Sequence, residues 1–188
     1  MSSRYAYTST RRYLSVVVEH QLLCRQPDRW KSSGMVSKNG LVENVWDDTF
    51  FMKKALAEAQ LALEKDEVPV GVVIVANNSI IARAHNLTEA LTDVTAHAEM
   101  QGITAAANAI GGKYLQGCTM YVTLEPCSMC AGALYWSQLS RLVFAADDPK
   151  RGYRQHGTPL HPKTEVVEGV MAEESRELLL QFFKDKRK

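Results

Sequence analysis

A chain of 188 residues with 46% hydrophobic content has the length for one domain and enough apolar side chains for a sizeable core. No stretch approaches the roughly 18 to 20 continuous apolar residues of a membrane span, which excludes a membrane-embedded protein of that kind. Four cysteines are too sparse for a disulfide framework at this length, favouring a reducing compartment or metal use, and a formal charge of +1 leaves any nucleic-acid contact to local basic patches. Residues 1–45 stand apart: Ser, Thr, Tyr and Arg dominate, the first acidic residue is Glu19, and neither helical nor strand periodicity is sustained. This segment reads as a disordered extension, or as the product of a start codon set too far upstream with Met35 as the true start. An organelle-targeting peptide within 1–30 is the less favoured reading, because Glu19 and Asp28 interrupt it and no amphipathic stripe runs through it.

Residues 46–188 read as the folded domain. Met52, Ala55, Leu56, Ala59 and Leu63 fall at helical spacing, with Asp47, Asp48 or Thr49 available as the cap. Two β-branched runs, 70–76 and 79–85, flank Asn77-Asn78, a pair that tolerates the left-handed backbone of a tight hairpin. Residues 97–110 are Ala-rich and end at Gly111-Gly112, a helix with a glycine stop. "CTMYVTL" (118–124) is a strand, and Pro126 opens the helix of "PCSMCAGALYWSQL", where a missing N–H does no harm. "RLVFAA" (141–146) is a fourth strand, 147–164 a polar loop, 165–167 a short fifth strand and 173–186 a final helix. The order predicts one mixed sheet flanked by helices. Tyr114, Tyr121, Tyr135, Trp136 and Met129 are expected in the core.

Cys127 and Cys130, three residues apart, put both sulfurs on one side of a helix's first turn, and their thiolates suit zinc at about 2.3 Å. A Cys-x-x-Cys pair by itself also occurs in redox sites and zinc ribbons, but no second pair is present; Cys24 and Cys118 are single, and Cys118 reads as a small buried apolar residue. His97 is the most economical third ligand, since it too starts a helix after a strand and two such starts converge at one sheet edge. Three protein ligands leave one coordination position open, which is the catalytic arrangement. Glu99 sits two residues on; in mid-helix that spacing would face it away from His97, but at a first turn aimed end-on both reach the same point. Taken singly, His97 is an ordinary core or capping histidine and Glu99 a first-turn acid complementing the helix dipole. Together, His-x-Glu followed by Pro-Cys-x-x-Cys is the known signature of zinc nucleobase deaminases.

The wider motifs "EVPVG" (67–71), "HN" (85–86), "DVTAHAEM" (93–100), "TLEPCSMCAGAL" (123–134), "DDPKRG" (147–152) and "FFKDKRK" (182–188) extend the likeness. From about residue 50 to 188 the chain resembles the bacterial tRNA-specific adenosine deaminases of the zinc-dependent cytidine and deoxycytidylate deaminase superfamily. The resemblance implies an α/β, three-layer α/β/α cytidine deaminase-like fold with a central mixed five-stranded sheet, usually a homodimer in the cytoplasm. It implies one Zn²⁺ per subunit on His97, Cys127 and Cys130, Glu99 as proton shuttle, and Asn86, Val70, Pro126 and Asp148 in the substrate pocket, with Asn86 touching a flipped base. The implied reaction is hydrolysis of adenosine to inosine at the wobble position (34) of a tRNA anticodon stem-loop. Two stretches depart from the family pattern: Asp93-Val94-Thr95 lacks a proline before the histidine, and the loop after Lys150 carries Tyr153, Arg154 and His156 in place of a Gly/Ser-rich run. Lys150, Arg151 and Arg154, with the tail residues Lys184, Lys186, Arg187 and Lys188, are candidates for phosphate contact, the alternative being a solvated loop and an ordinary basic helix end. Two other functions share the zinc signature: a deaminase of free guanine or cytosine, and a non-catalytic zinc-stabilised RNA-binding module, against which the free carboxylate of Glu99 argues.

Overall fold

The computed structural model describes residues 46–187, together with the backbone of a short antiparallel ribbon pairing Met35–Val36 with Val42–Glu43. That ribbon aside, the expectations for residues 1–45, as extension, false start or targeting peptide, lie outside the described residues, as does Lys188.

Helix α1 (Asp48–Glu64) starts where Asp47 turns its carboxylate onto the Phe50 N–H at 2.7 Å, so Asp47 is the cap among the three candidates. Its buried stripe is Phe51, Met52, Ala55, Ala59 and Ala62, while Leu56 and Leu63 are half-buried at its margin. Strands β1 (Gly71–Ala76) and β2 (Ser79–His85) form the expected hairpin, with Asn77 and Asn78 both left-handed at φ 49° and 58°. Helix α2 (Ala98–Ile110) stops at Gly111, φ 63°. Strand β3 (Cys118–Leu124), helix α3 (Ser128–Ser137), strands β4 (Arg141–Ala146) and β5 (Glu165–Glu168) and helix α4 (Ala172–Asp185) follow.

The sheet order is β2-β1-β3-β4-β5, antiparallel across β2, β1 and β3 and parallel from β3 to β5. Alternate side chains of each strand enter opposite layers. Val72, Ile74, Met120, Val122, Leu142 and Phe144 pack with Ala98, Ala106 and Ile110 of α2 and Ala131 and Leu134 of α3. Val73, Val75, Tyr121, Val143 and Ala145 pack on Phe51, Met52 and Ala55 of α1. With α4 lying against α1, this is the three-layer α/β/α fold with a mixed five-stranded sheet. Gly71 sets how closely α1 lies on the sheet: a Cβ there would sit 2.1 Å from the Ala55 carbonyl oxygen and 2.3 Å from the Ala59 nitrogen. Among the described residues no helix is long and apolar enough to cross a membrane.

Several expectations shift. The β1 strand begins at Gly71, leaving Val70 just ahead of it. Both site helices start one or two residues later than predicted, with His97 and Cys127 as N-caps and Pro126 outside the helix. Helix α4 runs one residue earlier at each end, and β5 is one residue longer. Of the large side chains expected in the core, Tyr121 is buried and Tyr135 half-buried, but Tyr114, Trp136 and Met129 are exposed, Trp136 by 77%. The reason is helical phase: Cys130, Ala131, Leu134 and Ser137 form the buried stripe of α3, and positions 129 and 136 fall on its far side.

Candidate active site

Parallel strands β3 and β4 end side by side, at Leu124 and Ala146, on the edge where α3 begins, the place where open α/β sheets take their ligands. The N-cap of α3, Cys127, is extended (φ −72°, ψ 172°), and so is the N-cap of α2, His97 (φ −65°, ψ 153°). Neither side chain caps its own helix. Instead they turn to each other: His97 Nδ1 lies 3.6 Å from Cys127 Sγ and 3.6 Å from Cys130 Sγ. The three donor atoms all fall within 4.8 Å of one another. A tetrahedral zinc with bonds of about 2.3 Å to sulfur and about 2.0–2.1 Å to nitrogen needs an N···S separation of about 3.6 Å, so the donors fit the ion by both chemistry and spacing.

The cluster is electrostatically tight. The Cys127 thiol falls to about 4, chiefly because Cys130 donates a hydrogen bond to its sulfur, with His97 helping against the cost of burial. Cys130 is pushed up correspondingly, and His97 is raised by its hydrogen bond with Cys127. Glu99, 4% exposed in the first turn of α2, is pushed up to about 7, mainly by burial and then by the charge of Cys127. Helix α2 therefore meets the cluster end-on, with His97 and Glu99 reaching it together.

A cavity of about 780 Å³ opens over this cluster, lined by His97, Glu99 and Cys127. Of the expected substrate residues, Asn86, Val70, Asp148, Lys150 and Arg151 line it too. Pro126 is buried behind the wall, where its carbonyl accepts the Tyr153 N–H at 2.9 Å. Arg187 reaches the cavity from the tail, whereas Lys186 turns away to Asp66 at 2.6 Å.

The expectation that Arg154 holds phosphate is corrected by its partners. Its guanidinium bonds Glu125 (3.1 Å), Asp147 (2.8 Å) and Glu168, and lies 5.0 Å over the Phe144 ring. Three carboxylates leave it no charge to offer RNA. The missing proline before His97 also has a substitute: Asp93 Oδ1 accepts from both the Thr95 N–H and its hydroxyl at 2.8 Å, closing the turn from a side chain.

Two buried carboxylates escaped the sequence reading. Glu125, 4% exposed, accepts the Asp148 N–H at 3.1 Å and three bonds from Arg154. Burial would raise its pKa, but these bonds outweigh that and hold it below the usual carboxylate range. It ties the 147–154 loop to the start of α3, where Gly152 bridges Cys127 and leaves no room for a side chain: a Cβ there would sit 2.4 Å from the Glu125 carboxyl carbon. Glu67, fully buried, does the same for residues 86–90. The signal was present in the sequence: each is an acid at the edge of an apolar run, in "EVPVG" and "TLEPC". Leu179 and Phe183 of α4, which also line the cavity, had no such signal, because the helix packs there only through the sheet topology.

A three-layer α/β/α fold with one His and two Cys donors at zinc spacing, beside a buried first-turn glutamate, defines a zinc-dependent deaminase. The family model for the cytidine and deoxycytidylate deaminase zinc-binding region matches residues 46–146. The chain is 48% identical over 149 residues to the tRNA-specific adenosine deaminase of Bacillus subtilis, covering 75% of this chain and 91% of that protein. It is 46% identical over 145 residues to the tRNA-specific adenosine deaminase of Agrobacterium fabrum, covering 74% and 95%. A solved structure from studies of A-to-I editing by tRNA:A34 deaminases at the wobble position of transfer RNA aligns at 45% identity and a TM-score of 0.66, over 70% of this chain and 99% of that one. The chain belongs to the cytidine and deoxycytidylate deaminase family, in its tRNA-specific adenosine deaminase branch, and is a zinc enzyme.

Replacing Cys127 by Ala is expected to take zinc from one per chain to near none and to lower the thermal midpoint by about 10 °C, since the ion joins the starts of two helices. Glu99→Ala is expected to keep its zinc. Elemental analysis with calorimetry checks both, and a Cys127→Ala protein that keeps a full complement of zinc overturns the ligand set.

Proposed function

We propose that the domain of residues 46–188 hydrolyses adenosine to inosine at wobble position 34 of a tRNA anticodon stem-loop, releasing ammonia. The observation that carries this reading is the buried Glu99 beside His97, Cys127 and Cys130, inside a cavity rimmed by Lys150, Arg151 and Arg187. Zinc on the three donors supplies a Lewis acid that brings the ionisation of water near neutral pH. Glu99 takes the proton of the attacking water and returns it to the departing amine, so that water and adenosine balance against inosine and ammonia. Such a shuttle contributes a factor of about 10² to 10⁴. The target base has to leave the anticodon loop to reach a site this deep, and unstacked loop bases are the part of RNA that proteins read. Asn86, Val70 and Asp148 shape the place where it lands, Pro126 lying behind that wall, and Lys150 and Arg151 hold the flanking phosphates. A deaminase of free guanine or cytosine has no use for that cationic rim.

The same reading makes the working unit a homodimer in the cytoplasm, whose sedimentation mass is twice the 21.0 kDa of the chain. A native N terminus found cut within residues 1–30 would instead support targeting to an organelle.

Incubated with unmodified tRNA transcripts, the zinc-loaded enzyme is expected to make inosine at position 34, and Glu99→Ala to lose at least about a hundredfold in rate. Turnover confined to free guanine or cytosine would refute the assignment. Reversing charge at Lys150 and Arg151 to Glu is expected to weaken tRNA binding and to flatten the plot of log K against log salt by about 1.4, roughly 0.7 for each phosphate of single-stranded RNA that is no longer neutralised, with zinc content unchanged. Equal slopes for both proteins count against the phosphate role.

A further inference from the structure

Glu67 lies between α1 and β1 and is fully buried, yet it touches the cavity through a neighbour. Its Oε1 accepts the Glu89 N–H at 3.0 Å and the Ala90 N–H at 2.8 Å; its Oε2 accepts Asn86 Nδ2 at 3.0 Å and the Thr88 hydroxyl at 3.1 Å. Burial would raise its pKa, but the four hydrogen bonds outweigh that and hold it below the usual carboxylate range. The group facing Asn86 is therefore a carboxylate, which only accepts.

That decides which way the Asn86 carboxamide points. A carboxylate demands the NH₂ end, so one N–H goes to Glu67. The other goes to Thr88 Oγ1 at 2.9 Å, and the Thr88 hydrogen is itself given to Glu67. Both N–H groups of Asn86 are thus occupied within the protein. The backbone cannot swing to release them, because the Asn86 N–H is held by the Val70 carbonyl at 3.0 Å. The carboxamide oxygen, by contrast, takes no hydrogen bond from any described residue, and it is not sealed from solvent. Asn86 is 5% exposed and lines the cavity that holds His97 and Glu99, so the oxygen is the atom it presents there.

We propose that Glu67 is a positioning residue that acts through Asn86, giving the pocket a fixed hydrogen-bond acceptor that takes a donor of the bound nucleoside, either a base N–H or the ribose 2′-hydroxyl. This rests on the nucleoside-deaminase reading above and specifies the chemistry of one wall of that site. The selectivity it confers is asymmetric: a nucleoside that offers an acceptor at this point meets an oxygen it cannot bond and that cannot rotate away.

The test reverses the hydrogen-bond chain. Glu67→Gln and Asn86→Asp each break it, the first by giving Asn86 a competing donor and the second by setting two carboxylates side by side. The double variant Glu67→Gln/Asn86→Asp restores it with opposite polarity: the new amide donates to the new carboxylate, whose other oxygen still faces the cavity as an acceptor. With an anticodon hairpin carrying adenosine at position 34, each single variant is expected to raise KM about tenfold at unchanged zinc content, with kcat changed less, and the double variant to return to within about threefold of wild type. A double variant as impaired as the singles overturns the proposal, because the new carboxylate has no N–H to give a substrate that needed one. A hairpin with 2′-deoxyadenosine at the target separates the two donors: the KM difference between wild type and Glu67→Gln vanishes if the donor is the ribose hydroxyl and persists if it is a base N–H. Should wild type make no inosine at all, the deaminase reading fails on its own, and the orientation is still read directly by NMR. Slowly exchanging Asn86 side-chain NH₂ protons that become labile in Glu67→Gln support it, and fast exchange in wild type overturns it.

Discussion

Everything about the site depends on two residues that decline to cap their helices. An N-cap side chain ordinarily turns back onto the free N–H groups of its own first turn, and Ser, Asp or Asn is chosen for that. His97 and Cys127 hold the extended N-cap backbone but send their side chains outward, to within 3.6 Å of each other. Each helix forgoes a local hydrogen bond, and in return the two positive ends, with Cys130 in the first turn of α3, enclose one point in space. An ion placed there takes over from the hydrogen bond that Cys130 gives the Cys127 sulfur.

Holding that point in place takes more than the sheet. The segments leading into the cavity, 86–90 and 147–154, belong to no strand of the sheet, and the N–H groups of Glu89, Ala90, Asp148 and Arg154 find their acceptors in side chains. Glu67 and Glu125 answer this in the same way: each is a buried acid whose oxygens collect backbone N–H groups from the adjoining loop. The carboxylates act as internal substitutes for a strand, and because they are ionised they also fix the polarity of whatever they touch. Asn86 inherits its orientation from one, and the cation-bearing rim its shape from the other.

Much of this was legible beforehand. Strand and helix periods, the Asn77-Asn78 turn, the Gly111 stop and the pairing of "HAE" with "PCSMC" all follow from local chemistry, and they sufficed to bring the right donors to one place. What local chemistry cannot carry is phase and partnership. Trp136 reads as a core aromatic until the register of α3 is known, and then its exposure follows from where Cys130 and Leu134 must point. Arg154 reads as a phosphate ligand because its three acidic partners, Glu125, Asp147 and Glu168, lie at different points along the chain and meet only when β4 and β5 pair. The partners of Glu67 stay hidden for the same reason: its four donors all come from residues 86–90, on the far side of a hairpin.

Gly152 gives this arrangement a consequence for how the enzyme can diversify. Sitting against the Glu125 carboxyl with no space for even a methyl group, it makes the stretch from Gly152 to Arg154 a fixed keel. Lys150 and Arg151, immediately before it, are exposed and held through their backbone, the two N–H groups by Asp148 and the Lys150 carbonyl by the His156 ring. Side-chain identity at those two places is thus uncoupled from the loop's shape, so either can be exchanged without reopening the question of how the loop folds.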